Sequence, residues 1–290
     1  TQRSLQLIVN VLPGLQHAHF CFVDLGSSAR KEQLLKTDLD NLIIYEKGDE
    51  ELKQSLINAA AGVNEFLAGC GFSFCQAGTM AHLPSMCLNQ EEWNSRIREW
   101  IYSPDPKALL NSTIYFDLRH IYGREELVSG LKENIIDNIR KQTSFLNYLA
   151  KNAVENPPPI SFFNQFIVET SGEHKNEFDI KKRAIMPLVD AGRLFALEHY
   201  YYNSVSTLDR FRYISQQESK NKAIFEEAVH GFEFLLKMRA RTGLQHGDDG
   251  RYVDIGSFDN IEKKIFKEIF HIIRELQKII QIRFQLDFFR

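Results

Sequence analysis

Cysteine is scarce in this chain: Cys21, Cys70, Cys75 and Cys87 are the four among 290 residues, and no two form a C-x-x-C pair. A chain of this length folds without disulfides, so they read as reduced thiols packed as small apolar groups. Cys70, Cys75 and Cys87 with His82 match no standard zinc-ligand spacing. An excess of charge is also missing. The 35 basic and 38 acidic residues leave a formal charge of -3, which argues against a dedicated nucleic-acid binder. No apolar run reaches the roughly 20 residues that span a bilayer, and residues 5–15 lack the charged front and cleavage site of a signal peptide. The expectation is a cytoplasmic protein with neither nucleic acid nor membrane as partner. His17, His19, His174, His199, His230, His246 and His271 fall into no H-x-x-x-H pattern, so they are assigned no role.

What is present is an ordinary globular composition, 43% hydrophobic and 25% charged, in a chain long enough for two cores. Residues 20–25 (FCFVDL), 41–45 (NLIIY) and 113–118 (TIYFDL) read as strands. Helical spacing predicts helices over 50–68, 90–102 and 125–154, and Pro157, Pro158 and Pro159 then interrupt the chain. Further helices are expected at 187–203, 219–241 and 258–286, the last with a stripe of Ile261, Ile265, Ile269, Ile272, Leu276 and Ile280. Tyr200, Tyr201 and Tyr202 continue the first of these as packing residues, and 243–257 reads as a loop. The expected fold class is α+β: a mixed sheet flanked by helices over residues 1–145, then an all-α helical bundle over 146–290.

The chemistry concentrates in Gly26-Ser27-Ser28-Ala29-Arg30-Lys31-Glu32-Gln33 and in Thr37-Asp38-Leu39-Asp40-Asn41. Residues two apart on a strand share a face, so Asp38 and Asp40 can address one metal cluster while Leu39 faces the core. Mg²⁺ favours carboxylate oxygens together with substrate phosphates, and a pair of such ions suits phosphoryl transfer. Asp117, an acid inside an apolar run, is the third candidate, with Arg119 as its bland partner. Gly26 admits a close approach of phosphate, Ser27 offers an N–H and a hydroxyl, and Arg30 and Lys36 offer charge-assisted contacts. In the second half, Lys181-Lys182-Arg183 is either a solvated turn or a phosphate contact. Arg193 beside an apolar face needs a partner, either Asp190 or a ligand.

The order G-S-x-x-R-x-E-Q, then T-D-x-D-N, resembles the nucleotidyltransferase domain of bacterial signalling proteins that also carry CBS and cyclic-nucleotide-binding modules, relatives of the GlnD uridylyltransferase within the DNA polymerase beta superfamily. The resemblance continues through Cys75-Gln76-Ala77-Gly78-Thr79-Met80-Ala81, Trp93, Trp100 and Phe116-Asp117-Leu118-Arg119 with Gly123. In the second half it takes in Pro158-Pro159-Ile160-Ser161-Phe162-Phe163, Phe178-Asp179-Ile180-Lys181 and residues 187–197, with Thr207-Leu208-Asp209-Arg210 a weaker match. Ala29, Leu39 and His82 depart from the family pattern. The resemblance implies a catalytic domain followed by a helical substrate-binding domain. It implies that Gly26 and Ser27 hold nucleotide phosphates, and that Asp38, Asp40 and Asp117 bind Mg²⁺ or Mn²⁺.

The expected reaction moves a nucleoside monophosphate from a nucleoside triphosphate to a hydroxyl of a protein or small-molecule acceptor, in signal transduction. Lys181 and Arg193 are expected to add positive charge on the side of the nucleotide facing away from the metals. Two other classes stand beside this reading. One is a catalytically silent nucleotide-sensing module; the other is a scaffold forming a homodimer through the long C-terminal helix.

Overall fold

The computed structural model describes residues 2, 6, 15–35, 38–155, 168–169 and 171–287. The chain forms two compact units, Thr1–Gln142 and Thr143–Arg290. The fold class is α+β, as expected. Among the described residues, no helix is long and apolar enough to cross a membrane.

The first unit is built on a mixed four-stranded sheet in the order β5-β3-β1-β6. Its strands are β1 (Phe20–Leu25), β3 (Asn41–Tyr45), β5 (Cys87–Asn89) and β6 (Leu118–Gly123). β1 lies antiparallel to β3 on one side and to β6 on the other, and β5 joins parallel to β3. All residues of β1 and β3 are buried, which is why both strands, apolar but for Asp24 and Asn41, show no alternation. Phe20, Phe22, Ile43 and Tyr45 share a core with Leu56, Ala60, Val63 and Leu67 of helix α2 (Glu50–Gly69). Helix α1 is the single turn Gly26–Ala29. α3 (Gln90–Tyr102) opens on a reciprocal capping box between Asn89 and Glu92, and Trp93 Nε1 donates to the Ile43 carbonyl at 2.9 Å. A second small sheet pairs β2 (Asp38–Leu39) in parallel with β4 (Ser73–Phe74).

The strand expected at 113–118 is not there. Residues Pro106–Tyr115 form helix α4, Phe116 caps it, and β6 begins only at Leu118. Thr113, Ile114 and Tyr115 have the side chains of a strand. However, Asp105 accepts from the Ala108 N–H at 2.7 Å with Pro106 in the first turn, a start signal that carries the chain helically through them. The expected helix over 125–154 is two, α5 (Glu125–Lys141) and α6 (Phe145–Val154).

The second unit comprises α6, α7 (Met186–Glu198), α8 (Thr207–Gln217), α9 (Lys222–His246) and α10 (Asn260–Arg283). A turn of π-helix, Lys181–Ile185, runs into α7, and β7 (Phe178–Asp179) pairs antiparallel with β8 (Tyr252–Val253) inside the region read as a loop. The buried stripe of α10 is Phe266, Ile269, Phe270, Ile273, Leu276 and Ile280, whereas Ile261 is 70% exposed. A strict four-residue spacing drifts by about 40° per step around a 3.6-residue helix, so the expected stripe leaves the core at its start. α7 ends at Glu198, and Tyr200, at φ +54°, turns the chain out of it, so the tyrosines are not helical. Tyr201 stacks on Tyr213 with ring centroids 4.1 Å apart. Pro157–Pro159 and residues 158–163 of the motif lie outside the described residues.

Candidate active site

The register of β1 sets the site. Phe20, Phe22 and Asp24 point to one face, and their partners Tyr45, Ile43 and Asn41 continue the same row. The row therefore runs from an aromatic core to two polar groups at the end where β1 gives way to Gly26. Gly26 adopts φ +53°, a left-handed conformation that favours glycine, and a methyl group there would sit 3.4 Å from Asp40 Oδ2. The turn closes through Arg30 N–H donating to the Gly26 carbonyl at 3.1 Å and Glu32 N–H to the Ser27 carbonyl at 2.9 Å. The Leu25 N–H donates to the Asp40 carbonyl at 3.0 Å, fixing Asp40 beside the turn.

Asp38 and Asp40 come together with Cys75, their ligand atoms all within 4.8 Å of one another. Asp38 is exposed and Asp40 half-buried. Burial and a hydrogen bond to Asp40 push the Cys75 thiol up, so it is a neutral donor to a carboxylate. A chain of amides holds the segment that carries Cys75: Asn41 Oδ1 accepts from the Ala81 N–H at 2.8 Å, Asn41 Nδ2 donates to Asn64 Oδ1, and Asn64 meets His82 Nδ1. A cavity of about 340 Å³ opens over this cluster, with Asp24, Ser28, Asp38, Asp40, Asn41 and Arg119 in its polar wall and Leu67, Phe72 and Ile121 in its apolar one.

Asp24 and Arg119 face each other across β1 and β6, and Arg119 Nη2 donates to Asp24 Oδ2 at 2.9 Å. The same nitrogen donates to the Ser28 carbonyl at 2.9 Å, and Ser28 Oγ donates to Asp24 Oδ2 at 2.6 Å. Burial raises the Asp24 carboxyl, and the contacts from Ser28 and Arg119 oppose it.

Asp117 is fully buried in the turn before β6 and accepts from Arg30 Nη1 at 2.6 Å, so Arg30 rather than Arg119 is its cation. Arg30 is buried too, and its Nε donates to Glu32 at 2.7 Å. Burial alone would lower the Arg30 pKa, and the two carboxylates outweigh it and hold the guanidinium charged. Neither Arg30 nor Asp117 lines the cavity. Lys36 lies outside the described residues. In the second unit Lys181 is half-buried in the π-turn, and Arg193, 2% exposed, donates to Asp190 at 2.7 Å. Asp179 of the same motif caps the π-turn through the Lys182 N–H and pairs with Arg251 at 2.7 Å.

Sequence reasoning thus finds Gly26, Asp38 and Asp40, which the structure brings together, and misses Asp24, Ser28, Cys75 and Arg119. The missed group depends on strand register and on the return of residues 75–81, neither of which local spacing encodes. The one available signal is the acid directly before Leu25-Gly26, at the end of an apolar strand.

Comparison with known families gives two matches. A family described as "Putative nucleotidyltransferase DUF294" matches residues 1–107, and one described as "Putative nucleotidyltransferase substrate binding domain" matches residues 143–284. No curated protein matches the chain.

Proposed function

We propose, because the chain belongs to the nucleotidyltransferase family that these two matches describe, that it transfers a nucleoside monophosphate from a nucleoside triphosphate to an acceptor hydroxyl. The observation that carries the reading is the convergence of Asp38, Asp40 and the Gly26 turn on one polar cavity. The donor set fits a hard divalent cation. Two carboxylates, one exposed and one half-buried, leave coordination positions for phosphate oxygens and water, which is how Mg²⁺ is usually held beside a nucleotide. Asp38 and Asp40 are the proposed ligands of Mg²⁺ or Mn²⁺. When bound, the ion would neutralise the triphosphate and stabilise charge building on the leaving pyrophosphate.

The chain's own groups do the rest. Gly26 allows backbone to approach phosphate closely, and Ser27 supplies an N–H and a hydroxyl at the start of α1, while the Ser28 hydroxyl is held by Asp24. Asn41 fixes the segment that carries Cys75, whose thiol donates to Asp40 and orients that carboxylate. Asp117 is proposed as the third carboxylate, assisting loss of the acceptor proton. To serve, it must exchange Arg30 for another partner, while Glu32 stays on the guanidinium. The Arg30–Asp117 pair also favours a second reading, a module that binds the nucleotide without transferring it.

Both readings predict that an Mg²⁺–nucleotide complex raises the melting temperature, by about 2.7 kcal/mol of added stability at a hundredfold excess over the dissociation constant. Asp38→Asn and Asp40→Asn should each abolish the shift. Equal shifts in wild type and variants would remove the metal-site assignment. A labelled α-phosphate appearing on an acceptor separates transfer from sensing.

A further inference from the structure

We propose that Arg119 is the phosphate-binding residue of this cavity and that Asp24 is its positioning residue, an inference that rests on the nucleotidyltransferase reading of the site. Three carboxylates, Asp24, Asp38 and Asp40, line the same cavity wall. A triphosphate brought there by a divalent cation still carries negative charge on its open side and needs a fixed cation to meet it. Arg30, the arginine of the glycine-serine motif, is buried between Glu32 and Asp117 and does not reach the wall. Among the described residues that line the cavity, Arg119 is the arginine or lysine that does.

Its geometry suits the task. One nitrogen of the guanidinium, Nη2, makes the contacts to both Asp24 Oδ2 and the Ser28 carbonyl. The Nε hydrogen is buried with no hydrogen-bond partner among the described residues. A guanidinium carries five N–H donors, so an arginine anchored at a single nitrogen is pre-oriented and still has donors for an oxyanion. Asp24 takes the Ser28 hydroxyl on the same Oδ2 that holds Arg119. It therefore links the first turn of α1 to the guanidinium and sets where the fork points.

The test uses the full chain and inorganic tripolyphosphate with Mg²⁺ as the probe, measured by calorimetry, with nucleoside triphosphate in parallel. Arg119→Ala should weaken tripolyphosphate binding by roughly ten- to a hundredfold, the range of a charge-assisted contact. Arg119→Lys, which keeps the charge and the Asp24 partner, should recover part of the loss, and Asp24→Asn should raise the nucleotide KM more than it lowers kcat. Circular dichroism checks that each variant is folded; if Arg119→Ala is not, Arg119→Lys alone decides, with a severalfold loss expected. Failure of the wild type to bind tripolyphosphate, or binding by the Arg119 variants equal to wild type, overturns the proposal. If polyphosphate binding needs Arg119 but no nucleotide is ever transferred, the transfer reading falls and the Arg119 site stands. If nucleotide binding needs Asp38 and Asp40 and ignores Arg119, the reverse holds.

Discussion

Replacing Asp117 with asparagine removes a charge from a fully buried carboxylate that Arg30 contacts at 2.6 Å. Breaking a buried ion pair from one side leaves an uncompensated charge and costs about 3–5 kcal/mol. Glu32 remains on Arg30, so Asp117→Asn is expected at the low end of that range, about 3 kcal/mol, in urea unfolding. A change under about 0.5 kcal/mol, the scale of a neutral surface substitution, would mean that the pair contributes nothing to the fold. Loss of transfer alone would not establish Asp117 as a metal ligand, because the same substitution loosens the turn that carries Gly26 and Ser28. Comparing the variant's nucleotide affinity with its turnover separates the two effects.

Helices α7, α8 and α10 are joined by one cluster. Arg283 of α10 donates to Glu198 of α7 at 2.9 Å and to Glu218, the residue capping α8, at 2.5 and 2.6 Å, while His199 meets Glu218 at 2.9 Å. Burial raises the Glu218 carboxyl, but hydrogen bonds from Arg283, His199 and Asn221 outweigh it and bring it down to about 2. A carboxyl whose folded pKa is depressed stabilises the fold above its unfolded pKa and loses that contribution as pH falls through the folded one. Wild type should therefore lose up to about 3 kcal/mol more stability than Glu218→Gln between pH of roughly 4.5 and 2, since every tenfold change in proton affinity is about 1.4 kcal/mol. Parallel pH curves for the two proteins would show the tie to be inert. None of this cluster is legible in the sequence, because its members are separated by up to 85 residues and meet only through helix packing. What is legible has local causes: β1 and β3 from short runs that are apolar but for Asp24 and Asn41, α2 and α3 from spacing and caps, and Asp38 with Asp40 from the period of an extended chain. Helix α4 escapes a reading by side-chain type, because the Asp105-Pro106 start overrides the strand-like residues that follow. The cation opposite the carboxylates escapes it because register, not spacing, sets Arg119 against Asp24.

The two units differ in how far along the chain their contacts reach. In the second, helices α7, α8 and α9 pack on one another in sequence order. In the first, β1 receives β3 from about 20 residues away, but its other edge waits for β6, nearly a hundred residues on. Emerging from the ribosome, the first unit therefore spends most of its synthesis with the β6-facing backbone edge of β1 unpaired. A long apolar strand with an open edge is a template for pairing with another molecule. A chain stopped at residue 117 is expected to aggregate, and one stopped at residue 142, with β6 and α5 present, to elute as a soluble species in size-exclusion chromatography. Equal solubility of the two would refute this. Gly123 makes the closure exacting. At φ +88° its α-carbon lies so near the Phe20 carbonyl that an added methyl would approach to 2.1 Å. The last residue of the last strand is thus the latch of the sheet, and until it has been synthesised both proposed metal ligands, Asp38 and Asp40, sit in a half-built unit without Arg119 set opposite Asp24.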